Sequence, residues 1–284
     1  MSTPVALVLG GHGLLGQPLA QQLAGNGWEA QSLDFEDCNL LNPVELQPRI
    51  EFINPDVIFN TVSWNTENPA EKQPQEALSV NRGLPAFLGG LVKGTSRFLV
   101  HYSSDQVFNG RKDSPYTEED KADPISLFTG KAALAGEQAL LELNADNICI
   151  IRTGWLFGPD GDSFLKRLLG RAKTEGTVEV IHDQIGSPTY AKDLAQATLQ
   201  LVKRRAPGLY HVANSGQATW CELAAEAVRQ ASLPCSVRAV ASSDKTLRAN
   251  YEVLSSAKYT ALTGCPMRPW SQALREYIYS VLLA

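Results

Sequence analysis

Apolar residues recur in short β-type runs that alternate with helical stretches through the first half of the chain. The predicted strands are Val5–Leu9, Glu29–Leu33, Val57–Thr61, Phe98–Ser103 and Asn147–Ile151, and the predicted helices are Leu14–Ala24, Gln75–Val92 and Gly130–Leu143. Strand–helix alternation of this kind indicates a parallel sheet that helices cover on both faces. We therefore predict an α/β protein with a Rossmann-type doubly wound parallel sheet.

The alternation becomes irregular after about residue 151, where Gly, Pro and aromatic residues become more frequent. This change predicts two parts of unequal character. Residues 1–151 would form the Rossmann domain, and residues 152–284 would form a smaller C-terminal substrate-binding lobe, partly interleaved with the sheet.

Composition narrows the function classes. The 284 residues carry 25 Lys and Arg against 30 Asp and Glu, a net charge of −5, which argues against a nucleic-acid partner. The apolar runs are too short to cross a bilayer, and the N-terminus does not resemble a signal peptide. The five cysteines are scattered without a CxxC pair, so neither a disulfide framework nor a metal site is predicted. We expect a cytoplasmic protein without a membrane partner.

A glycine-rich loop follows the first strand and opens the first helix. Gly10, Gly13 and Gly16 have the spacing GxxGxxG, which is typical of extended short-chain dehydrogenase/reductases. Glycines allow the backbone to approach a pyrophosphate, and the helix N-terminus adds N–H groups and a partial positive charge. The loop therefore predicts NAD(P) binding by residues 1–151, through Gly10, His12, Gly13, Leu14, Leu15 and Gly16. A solvent-facing position is favoured over a catalytic role for the His12 side chain.

Asp34 closes the second predicted strand, 18 residues after Gly16. A carboxylate at this point accepts hydrogen bonds from the adenosine ribose hydroxyls and repels a 2′-phosphate. There is no Arg or Lys between Gly16 and Arg49 to attract that phosphate. We therefore expect NAD(H) to be favoured over NADP(H). The alternative is that Asp34 is a solvated turn residue.

Several longer motifs occur in a characteristic order. Ser103–Gly110 reads Ser-Ser-Asp-Gln-Val-Phe-Asn-Gly, Ile151–Gly158 reads Ile-Arg-Thr-Gly-Trp-Leu-Phe-Gly, and Asp183–Tyr190 reads Asp-Gln-Ile-Gly-Ser-Pro-Thr-Tyr. In this order and spacing the chain resembles the dTDP-4-dehydrorhamnose reductase family. The resemblance implies a reductase of nucleotide-linked 4-ketosugars that uses NAD(P)H. The same family includes a non-catalytic branch, the regulatory β subunit of methionine adenosyltransferase.

The resemblance also implies roles for individual residues. Ser63 and Asn81 would line the ribose and nicotinamide side of the cofactor, and Ser104 would polarise the substrate carbonyl. The substrate residues implied by position are Trp155, Gln184, Ser187, Thr189 and Arg248. Arg248 suits a substrate phosphate because a guanidinium binds it bidentately, although a surface salt bridge is an equally good interpretation. Glu252 places a negative charge where a polar neutral residue is usual in the family.

The family's acid–base pair, a Tyr followed four residues later by a Lys, is missing. Counting back from Leu134–Glu137 places Thr129 and Ala133 at the two positions, and counting forward from Pro124 places Phe128 and Ala132 there. None of these side chains replaces a phenol whose pKa an adjacent ammonium lowers. The remaining candidates for the proton donor are Asp105, Tyr116 and Lys131, and Ser104 keeps the role of polarising the carbonyl. The alternative role of Asp105 is a hydrogen-bonded turn, that of Tyr116 is loop packing, and that of Lys131 is a solvated position on a helix.

Three hypotheses remain open from the sequence. The first is an atypical NAD(H)-dependent oxidoreductase that acts on a nucleotide-linked or related small keto substrate with a relocated or water-borne proton donor. The second is a catalytically inactive regulatory subunit that keeps the nucleotide site. The third is a non-redox enzyme, an isomerase, lyase or cyclase, on the same scaffold. A homodimer and a complex with a partner enzyme both stay open.

Overall fold

Parallel strands form the centre of the computed structural model, which describes residues 3–64, 74–125, 129–243 and 248–282. The strands are β1 (Val5–Leu9), β2 (Glu29–Leu33), β3 (Val57–Asn60), β4 (Phe98–Ser104), β5 (Ile148–Thr153), β6 (Leu156–Phe157), β7 (Thr177–Ile181), β8 (Ile185–Gly186), β9 (Thr189–Tyr190), β10 (Gly208–His211), β11 (Ala218–Thr219) and β12 (Ser236–Val240). Six of them pair in the order β2-β1-β3-β4-β5-β10, and every pairing is parallel. The predicted α/β class and Rossmann-type sheet are confirmed.

Helices cover both faces of this sheet. They are α1 (Gly16–Gly25), α2 (Pro43–Ile53), α3 (Pro74–Leu78), α4 (Leu84–Val92), α5 (Thr129–Leu141), α6 (Phe164–Ala172), α7 (Ala191–Lys203), α8 (Trp220–Gln230), α9 (Ala257–Thr263) and α10 (Trp270–Leu282). A π-helical turn, Ser79–Gly83, joins α3 to α4, so the helix predicted over Gln75–Val92 changes its hydrogen-bond pattern midway. In the part of the chain that is described, no helix is long and apolar enough to span a bilayer.

The alternation of β1 explains why helices pack on both sides. Ala6 and Val8 belong to the apolar cluster that contains residues of α1 and α7, whereas Leu7 and Leu9 belong to the cluster that contains residues of α2, α4 and α5. All four side chains are fully buried. Successive side chains of a strand point to opposite faces, so a continuous apolar run is what a strand between two helical layers requires.

The second half of the chain contributes to two regions. A separate core forms around Trp155, Phe157 and Tyr190 together with residues of α6, α8 and α10. The pairs β6–β9, β7–β12 and β8–β11 surround this core. In between, α7 packs against α1, and β10 pairs with β5 at the edge of the central sheet. Residues beyond 151 therefore complete the sheet as well as forming the smaller lobe.

Candidate active site

The glycine loop lies where the strand order of the sheet reverses, between β1 and β3. Ligands of doubly wound sheets bind outside the carboxyl ends of the strands at such a point. Gly10 adopts a φ of +82°, and its N–H donates to the Leu33 carbonyl at 2.9 Å. The Gly13 N–H donates to the Gly10 carbonyl at 3.1 Å, and a Cβ on Gly16 would overlap that same oxygen. The loop thus folds tightly against the start of α1.

This close packing makes α1 begin two residues later than predicted. Gly13, Leu14 and Leu15 form turns, and the helix starts at Gly16 without a side-chain cap on its first N–H groups. Leu15 is buried and Leu14 is half-buried, so these two residues offer their backbone rather than their side chains to a ligand. A backbone cradle that side chains leave open fits the diphosphate of a dinucleotide.

Asp34 faces the glycine loop from the end of β2. Its Oδ2 lies 3.0 Å from Nδ1 of His12, and its Oδ1 lies 3.4 Å from the backbone nitrogen of His12. The His12 side chain itself is 77% exposed, in line with a solvent-facing position. Asp34 also contacts Asp37, whose Oδ2 accepts from the Asp34 N–H at 2.8 Å. The carboxylate stands where the adenosine ribose lies in Rossmann sheets.

Asn81 braces the loop that follows β3. Its Oδ1 accepts from the Trp64 N–H at 2.8 Å, and its Nδ2 donates to the Trp64 carbonyl at 2.9 Å. Asn81 is buried in the π-helical turn, and a Cβ on Gly136 of α5 would overlap its carbonyl oxygen. Ser63, the neighbour of Trp64, is exposed. Asn81 therefore fixes the backbone of this loop, and the adjacent Ser63 side chain remains exposed on it.

Ser104 ends β4 and begins a short 3₁₀ turn, Asp105–Val107. Its Oγ accepts from the Gln106 N–H at 3.1 Å and lies 3.0 Å from Oδ1 of Asp105. Asp105 is 1% exposed, whereas Ser104 is half-buried. Because β4 neighbours β3 in the sheet, Ser104 lies at the same carboxyl edge as the glycine loop.

Arg248 pairs with two buried carboxylates, Asp105 and Glu252, which we call the carboxylate pair. Its Nε lies 2.6 Å from Oε2 of Glu252, and its Nη2 lies 3.3 Å from Oδ2 of Asp105. Burial raises the pKa of Asp105, and the Arg248 guanidinium opposes that rise. Burial also raises the pKa of Glu252 to about 7; Arg248 opposes this rise and the Asp105 charge adds to it. The Arg248 side chain is 11% exposed, so the salt bridge that the sequence allowed is present but lies below the surface.

An aromatic stack adjoins Arg248. The rings of Trp155 and Trp220 lie 3.5 Å apart and 4° from parallel, and the Arg248 guanidinium lies 5.5 Å from each ring centre. Trp155 has a φ of +49°, and a Cβ on Gly186 would overlap its indole. Trp220 Nε1 donates to Oε1 of Gln184 at 3.2 Å. Trp220 is half-buried and packs against the second apolar core; together with Trp155 and Arg248 it forms what we call the wall of the site.

Comparison with known proteins decides the family. The family model described as RmlD substrate binding domain matches residues 5–282. The Bacillus subtilis spore coat polysaccharide biosynthesis protein SpsK is 35% identical, over 96% of both chains. A Mycolicibacterium smegmatis dTDP-4-dehydrorhamnose reductase is 32% identical, over 97% of this chain and 85% of that protein. This chain belongs to the dTDP-4-dehydrorhamnose reductase family.

A solved structure extends the similarity to three dimensions. The dTDP-4-dehydrorhamnose reductase of Bacillus anthracis, determined in complex with NADP, superposes with a TM-score of 0.93. It is 27% identical, and the match covers 98% of this chain and 100% of that one. The predicted family membership and fold are thus confirmed along the whole chain.

Two of the residues that the family resemblance assigned to the substrate are fully buried. Ser187 Oγ accepts from the Leu254 N–H at 3.0 Å, and Thr189 Oγ1 donates to the Ser187 carbonyl at 3.0 Å. Thr189 N–H donates to the Trp155 carbonyl at 3.1 Å. These contacts hold the chain behind the aromatic stack. Ser187 and Thr189 thus lie behind the Trp155–Trp220 stack. Gln184 and Arg248 contact the stack itself.

Tyr116 and Lys131, two of the candidate proton donors, make contacts away from Ser104. The Tyr116 ring stacks on Phe108 at 4.0 Å, and its hydroxyl lies 3.3 Å from Oδ1 of Asn109. Tyr116 is 3% exposed, as we expect if its role is loop packing. Lys131 extends from α5 into solvent. The described contacts bring only Asp105, of the candidates, to the Ser104 hydroxyl.

The residues that the two sequence registers assign to the family's Tyr and Lys positions lie in different surroundings. Ala132 is buried against Ala77 and Trp64, beside the loop that Asn81 braces, whereas Ala133 packs in the cluster around Phe108. In the register that counts forward from Pro124, the residue at the Lys position, Ala132, therefore lies next to the loop that follows β3. Its Tyr position, Phe128, lies outside the described residues. In the other register Thr129 is the half-buried first residue of α5.

Proposed function

We propose that this protein is a nicotinamide-dependent reductase of a dTDP-linked 4-keto-6-deoxy sugar. The observation that carries the proposal is the arrangement at one edge of the sheet. The glycine cradle follows β1, Ser104 ends β4, and Trp155 follows β5, which neighbours β4 in the sheet. Trp220 and Arg248 adjoin Trp155 and complete the wall. The substrate named for the Mycolicibacterium smegmatis relative, dTDP-4-dehydrorhamnose, belongs to this chemical class.

Each part of the site has a task in this reaction. The backbone N–H groups at the start of α1 hold the cofactor diphosphate, and Asp34 accepts hydrogen bonds from the adenosine ribose. The nicotinamide supplies the hydride when bound. The Ser104 hydroxyl donates to the ketone oxygen and stabilises the negative charge that develops on it. The Trp155–Trp220 stack offers an aromatic face to the nucleotide or sugar, and the Arg248 guanidinium lies beside that face.

Removal of the Ser104 hydroxyl tests the reductase proposal. We expect the protein to oxidise NADH when a dTDP-4-keto-6-deoxy sugar is added, and Ser104→Ala to lower kcat by roughly 10²–10³-fold. Ser236→Ala, which alters an exposed residue of β12, is the matched control and should leave kcat unchanged. A protein that binds the cofactor but oxidises none with any such sugar would contradict the proposal and favour the regulatory-subunit alternative.

Asp34 makes NAD(H) the preferred cofactor in this proposal. Repulsion between two unit charges about 4 Å apart costs about 1 kcal/mol in water and about 4 kcal/mol near a protein surface. We therefore expect NADH to bind more tightly than NADPH, and Asp34→Asn to shift the ratio of the two dissociation constants toward NADPH by at least about fivefold. Fluorescence titration of both cofactors measures the ratio. Glu36→Gln, at an exposed neighbouring carboxylate, should not change it; a wild-type protein that prefers NADPH would refute the argument.

A further inference from the structure

Reduction of a ketone needs a proton, and the family's usual donor is missing from this chain. Ala132 and Ala133 occupy the two candidate Lys positions, and Phe128 and Thr129 occupy the two candidate Tyr positions. The Tyr116 hydroxyl contacts Asn109, and Lys131 is exposed. The acidic group that the structure does place against Ser104 is the carboxyl of Asp105. The inference that follows rests on the proposed reductase function.

The protonation of Asp105 decides whether the proton of Ser104 is available for a substrate. A hydroxyl has one proton to donate and two lone pairs that accept. The Gln106 N–H at 3.1 Å occupies one lone pair. If the carboxyl of Asp105 carries a proton, its O–H occupies the second lone pair across the 3.0 Å separation. The Ser104 hydroxyl then points its own proton at whatever lies in front of it. With Asp105 ionised, the same proton is instead held by Oδ1.

Charge and burial favour a proton on the carboxylate pair. Asp105 and Glu252 are 1% and 2% exposed, and both lie against the one guanidinium of Arg248. The remaining contacts of Asp105 are uncharged: Ser104, the Gln106 N–H, and the backbone of Gly154, where a Cβ would overlap the carboxyl. The charged groups that face Glu252 are Arg248 and Asp105 alone among the described residues. Two buried carboxylates beside one cation titrate together, and the second ionisation is disfavoured.

Glu252 changes what Arg248 can do for Asp105. A neutral side chain at position 252 would leave Asp105 and Arg248 as a simple ion pair and favour the ionised carboxyl. With Glu252 present, Arg248 is shared, because its Nε approaches Glu252 to 2.6 Å while its Nη2 lies 3.3 Å from Asp105. The tighter contact is with Glu252. Asp105 is therefore less completely compensated by Arg248 than it would be alone.

We propose that Asp105 and Glu252 share one proton at neutral pH and that Asp105 delivers it through the hydroxyl of Ser104 to the reduced carbonyl oxygen. A hydride that the reduced nicotinamide cofactor would supply, with loss of one of its C–H bonds, forms a C–H bond at the ketone carbon, and the carbonyl π electrons move to oxygen. That oxygen takes the proton of Ser104 as the Ser104 O–H bond breaks. The Asp105 O–H bond breaks in turn and restores the serine hydroxyl. The cofactor is oxidised, the ketone is reduced, and the carboxylate pair regains its proton from water.

The pH dependence of turnover tests this relay. The donor must be protonated, so kcat falls as pH rises through the pKa of the carboxylate pair, which burial raises above the usual carboxyl range. Glu252→Gln removes the second negative charge, which lowers the pKa of Asp105. We expect the fall in kcat to move to lower pH by about one unit. Asp105→Asn removes the proton and should lower kcat by roughly 10²–10⁴-fold with an unchanged dissociation constant for NADH.

Two controls keep the result interpretable. Glu175→Gln breaks another Glu–Arg contact, the exposed 2.8 Å pair with Arg171, and should leave the pH profile unchanged. Infrared difference spectroscopy of the wild-type protein needs no variant, and it should show a protonated carboxyl at pH 7 that is lost as the pH rises.

The outcomes separate the relay from the reductase proposal. Wild-type turnover with the same pH profile in Glu252→Gln overturns the relay and leaves the reductase function standing. Absence of a protonated carboxyl at pH 7 in the infrared spectrum overturns the relay whatever the turnover. A wild-type protein that oxidises no cofactor with the sugar overturns the reductase proposal, and the relay falls with it.

Discussion

Replacement of Gly16 by alanine is expected to abolish cofactor binding. A Cβ on Gly16 would overlap the carbonyl oxygen of Gly10 and lie 2.8 Å from Cα of Gly11, and both are backbone atoms that no rotamer change can move. The loop must shift away from the start of α1, which misplaces the N–H groups that would hold the diphosphate. Each hydrogen bond lost to a charged group costs about 1.5–3 kcal/mol, which is roughly 10- to 150-fold in affinity.

The same helix provides the control for this substitution. Gly25 is the last residue of α1, has no positive φ, and has nothing within 4 Å of a Cβ built on it. Gly25→Ala should leave the dissociation constant for NADH unchanged in a fluorescence titration, and circular dichroism should show that both variants are folded. Tight NADH binding by a folded Gly16→Ala variant would show that the cofactor does not use this loop.

Replacement of Glu137 by leucine is expected to cost about 3–5 kcal/mol of the free energy of unfolding. Glu137 of α5 is fully buried, and its two oxygens accept from Arg152 Nε at 2.8 Å and Nη2 at 2.6 Å. Arg152 of β5 is 3% exposed, so the leucine variant leaves a guanidinium charge in the protein interior without its carboxylate. Urea denaturation of the variant and the wild type measures the difference.

The double variant separates the cost of the lone charge from that of lost packing. Glu137→Leu combined with Arg152→Met removes both charges, and apolar replacement of a whole buried pair is often neutral or stabilising. We therefore expect the double variant to regain most of the lost stability. A single variant as stable as the wild type would mean that Arg152 finds another partner or reaches water.

The sheet and the cofactor loop could be predicted from local pattern. β1, β2 and β3 follow from apolar runs bounded by turn residues, and their observed ends lie within one residue of those predicted. Asn54 ends α2 in the left-handed conformation at φ +49°, which asparagine adopts at helix ends more readily than most residues. The start of α1 was misplaced by two residues because the contact of Gly13 with Gly10 forms a turn that periodicity does not reveal.

The substrate side of the site depended on contacts that no local pattern carries. Arg248 reaches Asp105 across 143 residues of chain, so its burial could not be read from its neighbours in sequence. Trp220 begins an amphipathic helix, where a core position was the natural interpretation, yet it stacks on Trp155, a residue with a left-handed backbone. Glu252 was noted for its charge, but its pairing with Arg248 became visible only in three dimensions.

The return of the chain to the sheet at β10 limits how this fold can be divided. β5 is buried along its whole length, and β10 supplies the hydrogen-bonding partner for its outer edge. A fragment that stopped at residue 151 would present that apolar strand, unpaired, to other molecules, and such edges invite aggregation. A single crossover after β5 is one way to exchange substrate specificity between relatives. It would also exchange β10, which is an edge strand of the central sheet, and α7, which packs on α1. Grafting needs at least two junctions, placed on either side of the segment that holds α7 and β10.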